Sequence, residues 1–191
     1  MSESTVAVRD WEGLTIPAPG TYALDAAHTR VGFIVKHMMV SKVRGNFGEY
    51  EANITIADDP LQSSVTASIN TGSVQTGQEA RDNHLRTGDF FETEKFPAMT
   101  FTSTGITGHD GDTFTVAGEL TIKDVTRPVE LKVELEGTAL SPYGQQVFGF
   151  TATTEINRED FGLTYNQALE TGGVLVGKQI KIEIEGEAVR S

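Results

Sequence analysis

The chain has no cysteine, one tryptophan, and 15 basic residues against 27 acidic ones. Lack of cysteine excludes disulfides, thiolate nucleophiles and cysteine-ligated metals. The net charge of −12 argues against nucleic-acid binding, which needs clustered Lys and Arg to meet phosphates. It also disfavours attachment to anionic membranes by overall charge. No stretch approaches the roughly 20 consecutive apolar residues of a membrane-spanning helix. The first twenty residues are polar and acidic apart from Trp11, Leu14 and Ile16, and they show no basic and then apolar secretory signal. A cytoplasmic location is therefore the expectation. Enzyme signatures are missing too: there is no Gly-x-Ser-x-Gly elbow, Gly-x-Gly-x-x-Gly fingerprint or phosphate-cradling Gly-Lys-Ser/Thr loop.

At 191 residues the sequence predicts one domain over residues 20–191, preceded by an arm over residues 1–19. The Ile16-Pro-Ala-Pro-Gly20 segment reads as an extended linker. Trp11 either packs back onto the domain or a partner, or belongs to a mobile arm. Beyond Gly20, period-two alternation dominates. Ala52, Ile54 and Ile56 form one apolar face, and Val65, Ala67 and Ile69 another. Phe114, Val116, Leu120 and Ile122 continue the pattern, as do Val129, Leu131, Val133 and Leu135. Phe148, Phe150, Ala152 and Ile156 follow, and Ile180, Ile182 and Ile184 come last. This is the pattern of antiparallel strands wet on one face and buried on the other. Eight or nine strands are expected, closing as a sandwich or barrel, with turns at Asp58-Asp-Pro60, Gly108-His-Asp-Gly111 and Ser141-Pro-Tyr-Gly144.

One strand is unusual. Val31, Phe33, Val35 and His37 share a face, and an apolar face ending in a single His suits a cavity wall better than a packed core. A basic, glycine-containing turn is expected to follow, through Val40 to Gly45. Thr76-Gly-Gln-Glu79 has capping-box spacing and predicts a short polar helix from Thr76 to about Arg86, with an Asp82–Arg86 pair. Its apolar residues are chiefly Ala80 and Leu85. It leads into an aromatic connection, Phe90-Phe91 to Phe96-Pro97, as a cap over a barrel mouth would. Phe33, Phe47, Phe90, Phe91, Phe101, Phe148, Phe150 and Phe161 lie near segment ends, and small residues at Ala67, Gly118 and Ala152 would keep a barrel interior open. Asp82, His84 and Asp89 read first as a network fastening the helix. His28, His37 and His84 lack metal-ligand spacing, so no metal is expected.

The blocks Asp25-x-x-His28-x-x-Val31-x-Phe33-x-Val35-x-His37 and Val40-Ser-Lys-Val-Arg-Gly45 resemble the YceI family of lipocalin-like isoprenoid-binding proteins. So do Arg81-Asp-x-His-Leu-Arg86, Asp89-Phe-Phe91, Lys95-Phe-Pro97, Gly118-x-Leu-Thr-Ile122, Val125-Thr-Arg-Pro-Val129, Ile156-Asn-Arg158, Asp160-Phe-Gly-Leu-Thr164 and Gly173-Val-Leu-Val-Gly177. The resemblance implies an all-β fold, an extended eight-stranded antiparallel lipocalin-like β-barrel with one short helix near its mouth. It implies a pocket for a long-chain polyisoprenoid, an isoprenoid quinone or a related amphiphilic lipid, without catalysis, metal or cofactor. His28, His37, His84 and Asn157 become candidates to orient a polar headgroup. Tyr165, where the family often has Trp, would place a hydroxyl near the pocket. The resemblance also allows a homodimer. The rival readings are an enzyme acting on such lipids through His37 or His84, and a packed barrel serving as a protein-interaction module.

Overall fold

The computed structural model of the protein describes residues 6–191. A hairpin comes first, formed by β1 (Val8–Trp11) and β2 (Leu14–Pro17). The strands β3 (Gly20–Leu24), β4 (Arg30–His37), β5 (Ser41–Phe47), β6 (Tyr50–Ile56) and β7 (Ser64–Asn70) follow, then the two-residue β8 (Val74–Gln75) and helix α1 (Glu79–Leu85). Five long strands complete the chain: β9 (Ala98–Asp110), β10 (Thr113–Ile122), β11 (Val125–Leu140), β12 (Gln146–Asn157) and β13 (Val176–Arg190).

The pairing closes on itself. β3 and β4 are two segments of one bent strand, because both lie against β13: Val189 opposite Ala23, and Ile182 opposite Phe33. β5 and β6 form the next bent strand, with β5 on β4 and β6 on β3. From there each strand pairs with the next in an antiparallel meander through β7, β9, β10, β11 and β12, and β12 pairs with β13 to close the ring. Counting each bent pair once gives a closed antiparallel barrel of eight strands, one of the closures the alternation allows and the one the resemblance implies.

Closure removes the exposed edges that an open sheet must guard. It also sends every inward-facing residue of the alternating strands to one interior. Val31, Ile69, Phe101, Val116, Leu120 and Ile156 belong to a single buried cluster. A second, smaller cluster of Tyr22, Phe148 and Ala188 fills the end where β3 meets β13.

Two local expectations are corrected. The basic segment after His37 is strand rather than turn: residues 38–40 alone reverse the chain, and Ser41–Phe47 pair with β4. The Ile16–Gly20 segment is not a free linker. Ile16 is buried in β2, and the Tyr22 hydroxyl donates to the Ala18 carbonyl at 2.8 Å. Trp11 lies on His109 and Phe114, with ring centroids 4.7 and 6.0 Å away. The Arg9 guanidinium donates to the carbonyls of Ala57 and Asp58. The hairpin is thus docked on one end of the barrel, while residues 1–5 of the arm lie outside the described residues.

Candidate functional site: a bore in two chambers

The barrel interior holds two cavities. One, of about 230 Å³, lies at the hairpin end and is roofed by Ile16 and Pro17. Its walls are the inward faces of β4, β5, β6, β7, β9, β10, β11, β12 and β13, and are apolar save for Tyr50, Glu51, Ser63, Ser64 and Thr154. The other, of about 440 Å³, lies at the end covered by α1. Phe33, Phe47, Met99 and Ile182 line both. The two cavities are therefore adjacent chambers of one bore, divided by a waist. Phe47 stands at its centre, with Phe33 and Phe91 each 5.7 Å away between ring centroids.

Two glycines set how far rings intrude at and below the waist. A Cβ on Gly45 would lie 2.3 Å from the tip of the Phe33 ring, its cross-strand partner. A Cβ on Gly118 would lie 2.3 Å from the Phe101 ring and 2.7 Å from the Thr102 carbonyl. Both rings therefore lie flat against the wall, in space only glycine leaves free. Gly118 acts through this ring rather than by exposing open space itself. Ala67 and Ala152 line the hairpin-end chamber directly.

The helix end is built differently. α1 has few apolar groups and is held by polar bonds. The expected Thr76 cap does not form; Gln78 takes the N-cap position without a side-chain bond. Thr76 instead donates its hydroxyl and its backbone N–H to Asp82 Oδ1, at 2.5 and 2.8 Å, because the carboxylate one turn into the helix reaches back to it. Arg81 donates to Thr76 Oγ1 at 2.7 Å. Arg86 turns away from Asp82 and donates to the carbonyls of Gly72 and Val74, at 2.9 and 3.1 Å. His84 Nε2 meets Asp89 Oδ2 at 2.8 Å, and its ring stands edge-on to Phe90 and Tyr165. These three rings form the inner surface of the cap.

Behind them Arg158 is 4 % exposed, a buried cation on the chamber wall. It donates to the carbonyls of Gly177, Leu163 and Val176, at 2.8, 2.6 and 3.3 Å. Burial lowers its pKa from the ordinary arginine value, with the Glu159 charge opposing. The fork of a guanidinium suits this task, since it satisfies several carbonyls of an irregular segment at once.

Most of the expected site residues meet in the bore. Phe101, Phe148 and Phe150 line the hairpin-end chamber; Val35, His37, His84, Leu85, Phe90, Phe91 and Tyr165 line the helix-end chamber; Phe33 and Phe47 serve both. Three residues line neither. His28 is at the surface, 2.9 Å from Asp25, which raises its pKa and lowers that of Asp25. Asn157 spends its side-chain oxygen on the Glu159 N–H, capping the 3-10 turn Arg158–Phe161. Phe161 is 2 % exposed within the core. His37 and His84 share the helix-end chamber, while His28 lies apart from them at the surface. Among the described residues, the one grouping of potential metal ligands is the surface trio Asp25, His28 and Glu187, which those hydrogen-bonding and charge contacts already explain.

Sequence reasoning passed over Arg158, Arg81 and Lys36 as lining groups. The available signal for Arg158 was its place between an Asn cap and Gly162, whose φ of 78° ends the turn.

The sequence model of the YceI-like domain matches residues 22–188. A UPF0312 protein of Staphylococcus aureus strain N315 is 42% identical over 168 residues, covering 87% of this chain and 95% of its own. Among solved structures, the YceI protein of Campylobacter jejuni superposes with a TM-score of 0.69 at 35% identity, covering 88% of this chain and 96% of that one. BcnA of Burkholderia cenocepacia shares the fold with a TM-score of 0.75 at 22% identity, covering 86% and 98%. A polyisoprenoid-binding domain from Saccharophagus degradans also shares it, with a TM-score of 0.68 at 15% identity and coverage of 89% and 98%.

Proposed function

The chain belongs to the YceI-like domain family, and from that premise we propose that it is a non-catalytic carrier of a long-chain polyisoprenoid or a related isoprenoid quinone or amphiphilic lipid. The observation that carries this reading is the pair of abutting chambers, apolar at one end and furnished with polar groups at the other. The name of the Saccharophagus degradans neighbour supports the same ligand class. The tail occupies the hairpin-end chamber and passes the waist, and the head lies near His37, Arg81 and His84 under α1.

Affinity in such a site comes from the tail. Burying one CH₂ is worth about 0.8 kcal/mol, so a five-carbon isoprene unit contributes on the order of 3 kcal/mol. A long chain would formally exceed the ceiling of about −20 kcal/mol, so ordering costs must take back much of the gain. Length selectivity then follows from where the bore ends, at Ile16, rather than from the gain per unit. Polar groups at the other end orient the ligand and add little.

Native mass spectrometry of freshly purified protein tests the proposal. The expected result is a co-purified lipid, or a stoichiometric mass shift after incubation with a polyprenol. A bare mass that stays bare with added polyprenol overturns it. Turnover of the added lipid would overturn the non-catalytic part.

A further inference from the structure

Between Asp25 and Glu49 the chain carries no acidic residue, although acids outnumber bases in it by 27 to 15. The same interval holds Arg30, Lys36, Lys42 and Arg44 and folds as the β4–β5 hairpin. Its tip is apolar and outward: Met38 is 41%, Met39 54% and Val40 83% exposed. Tyr143, at the opposite end of the barrel, is comparably exposed but solitary, and a solitary exposed ring needs no explanation.

The backbone of the tip is costly for these residues. Met38 and Met39 have φ of 53° and 62°, and the Val40 N–H donates to the His37 carbonyl at 3.1 Å. Positive φ at both central positions with that bond is the signature of a type I′ turn, which favours Asn-Gly. Two methionines here accept strain and expose long, flexible apolar side chains where a short polar pair would be the stable choice.

The tip also borders the bore. The Met38 N–H donates to the Leu175 carbonyl at 2.8 Å, and Leu175, Lys36 and His37 line the helix-end chamber. Lys36 and Lys42 face each other across the hairpin, and Arg44 lies opposite Ile34 on the same outer face. Two acids of β13 meet this face: Glu185 lies opposite Arg30, and Glu183 is bonded to Lys181 at 3.0 Å and is held further in its charged form by Arg44 and Arg30.

We propose that the β4–β5 hairpin docks the protein on an anionic lipid bilayer, with Met38, Met39 and Val40 entering the interface and Lys36, Lys42 and Arg44 meeting the headgroups. An apolar tip above a basic collar is the pattern of an interfacial anchor. The net charge of −12 does not oppose this strongly, because fields beyond about 8 Å are screened at physiological salt. Docking there brings the mouth of the bore to the membrane. Glu79, Asp82 and Asp89 belong to α1 and its following turn, and Glu170 to the turn before Leu175, not to the hairpin.

Vesicle co-sedimentation of the full chain tests the proposal without reference to any cargo, so its failure leaves the carrier reading untouched. Phosphatidylcholine vesicles are compared with vesicles that also contain phosphatidylglycerol. Binding to the anionic vesicles alone, weakening with salt, is expected. Lys42→Glu/Arg44→Glu should weaken it about tenfold or more, while Lys132→Glu on the outer face of β11 leaves it unchanged. Met38→Asn/Met39→Gly is the sharper variant: it should raise the thermal midpoint by relieving the turn and still abolish binding. Absence of binding, equal binding to both vesicle types, or binding that survives both hairpin variants overturns the proposal.

Discussion

The hairpin-end chamber is half the size of the helix-end chamber, about 230 against 440 Å³, yet it is the more uniform. Its wall is made by strands apart from Pro60 and Ser63 and is closed by Ile16 and the docked hairpin. The helix-end chamber is closed by α1 and an irregular segment; Phe90 and Leu163 bury there, but much of what fixes these pieces is polar: Asp82 on Thr76, Arg86 on two carbonyls, Arg158 on three. An apolar roof on an apolar chamber is stabilised by the same burial as the rest of the barrel. A polar roof is held by a few directional bonds, each of which can be removed singly. The comparison therefore predicts that single substitutions at the helix end act more sharply than those at the hairpin end.

The largest effect is expected at Arg158. Arg158→Met would leave three carbonyls without their donor and is expected to cost about 3–5 kcal/mol, read as a urea midpoint. Protection of amides in residues 163–177 should be lost first. A uniform loss over the whole barrel would instead erase the distinction between the two ends.

Next are the glycines. Gly118→Ala must move both a ring and a backbone carbonyl, whereas Gly45→Ala must move only the Phe33 ring. Each is expected to cost about 1–3 kcal/mol, with Gly118→Ala the larger. Both push a ring into the bore, so longer prenols should lose binding more than short ones in competition assays. Equal losses for all lengths would show that the waist does not gauge the chain.

Trp11→Ala is expected to cost about 1 kcal/mol, from its ring contacts with His109 and Phe114. It should leave the hydrogen bonds of α1 intact, as amide exchange can check. Smallest is the surface pair at the β3–β4 bend. The raised pKa of His28 means its contribution is present below its ordinary value, ~6.5, and is lost as pH rises through the raised value. Asp25, lowered, contributes above its ordinary ~3.9 and loses this as pH falls through the lowered value. Asp25→Asn should return His28 toward ~6.5 in an NMR titration, with little change in stability because both groups are exposed.

The barrel was legible in the sequence because alternation is a local signal, and β6, β7 and β10 to β13 each announce which of their faces is buried, whereas β9 (Ala98–Asp110) shows no such set. The cavity-wall character of Val31, Phe33, Val35 and His37 was legible for the same reason. What escaped depends on partners without a sequence signature. Arg158 binds backbone carbonyls, and any residue supplies those. The waist depends on which side chains of β4, β5, β9 and β13 reach the same level, a matter of stagger that alternation does not encode. The β1–β2 hairpin had one readable cue, Glu12-Gly13, whose φ of 49° and 82° make the reversal, but four-residue strands give alternation too little length to register.

The ring is sealed by its last strand. β13 is at once the neighbour of β12, β3 and β4, so the nascent chain carries an open, greasy gutter until residues 176–190 have left the ribosome. Contacts that span nearly the whole sequence form late and slowly. During that interval the surface destined to become the bore faces water, which makes synthesis, rather than the finished state, the stage at which this protein is most exposed to aggregation.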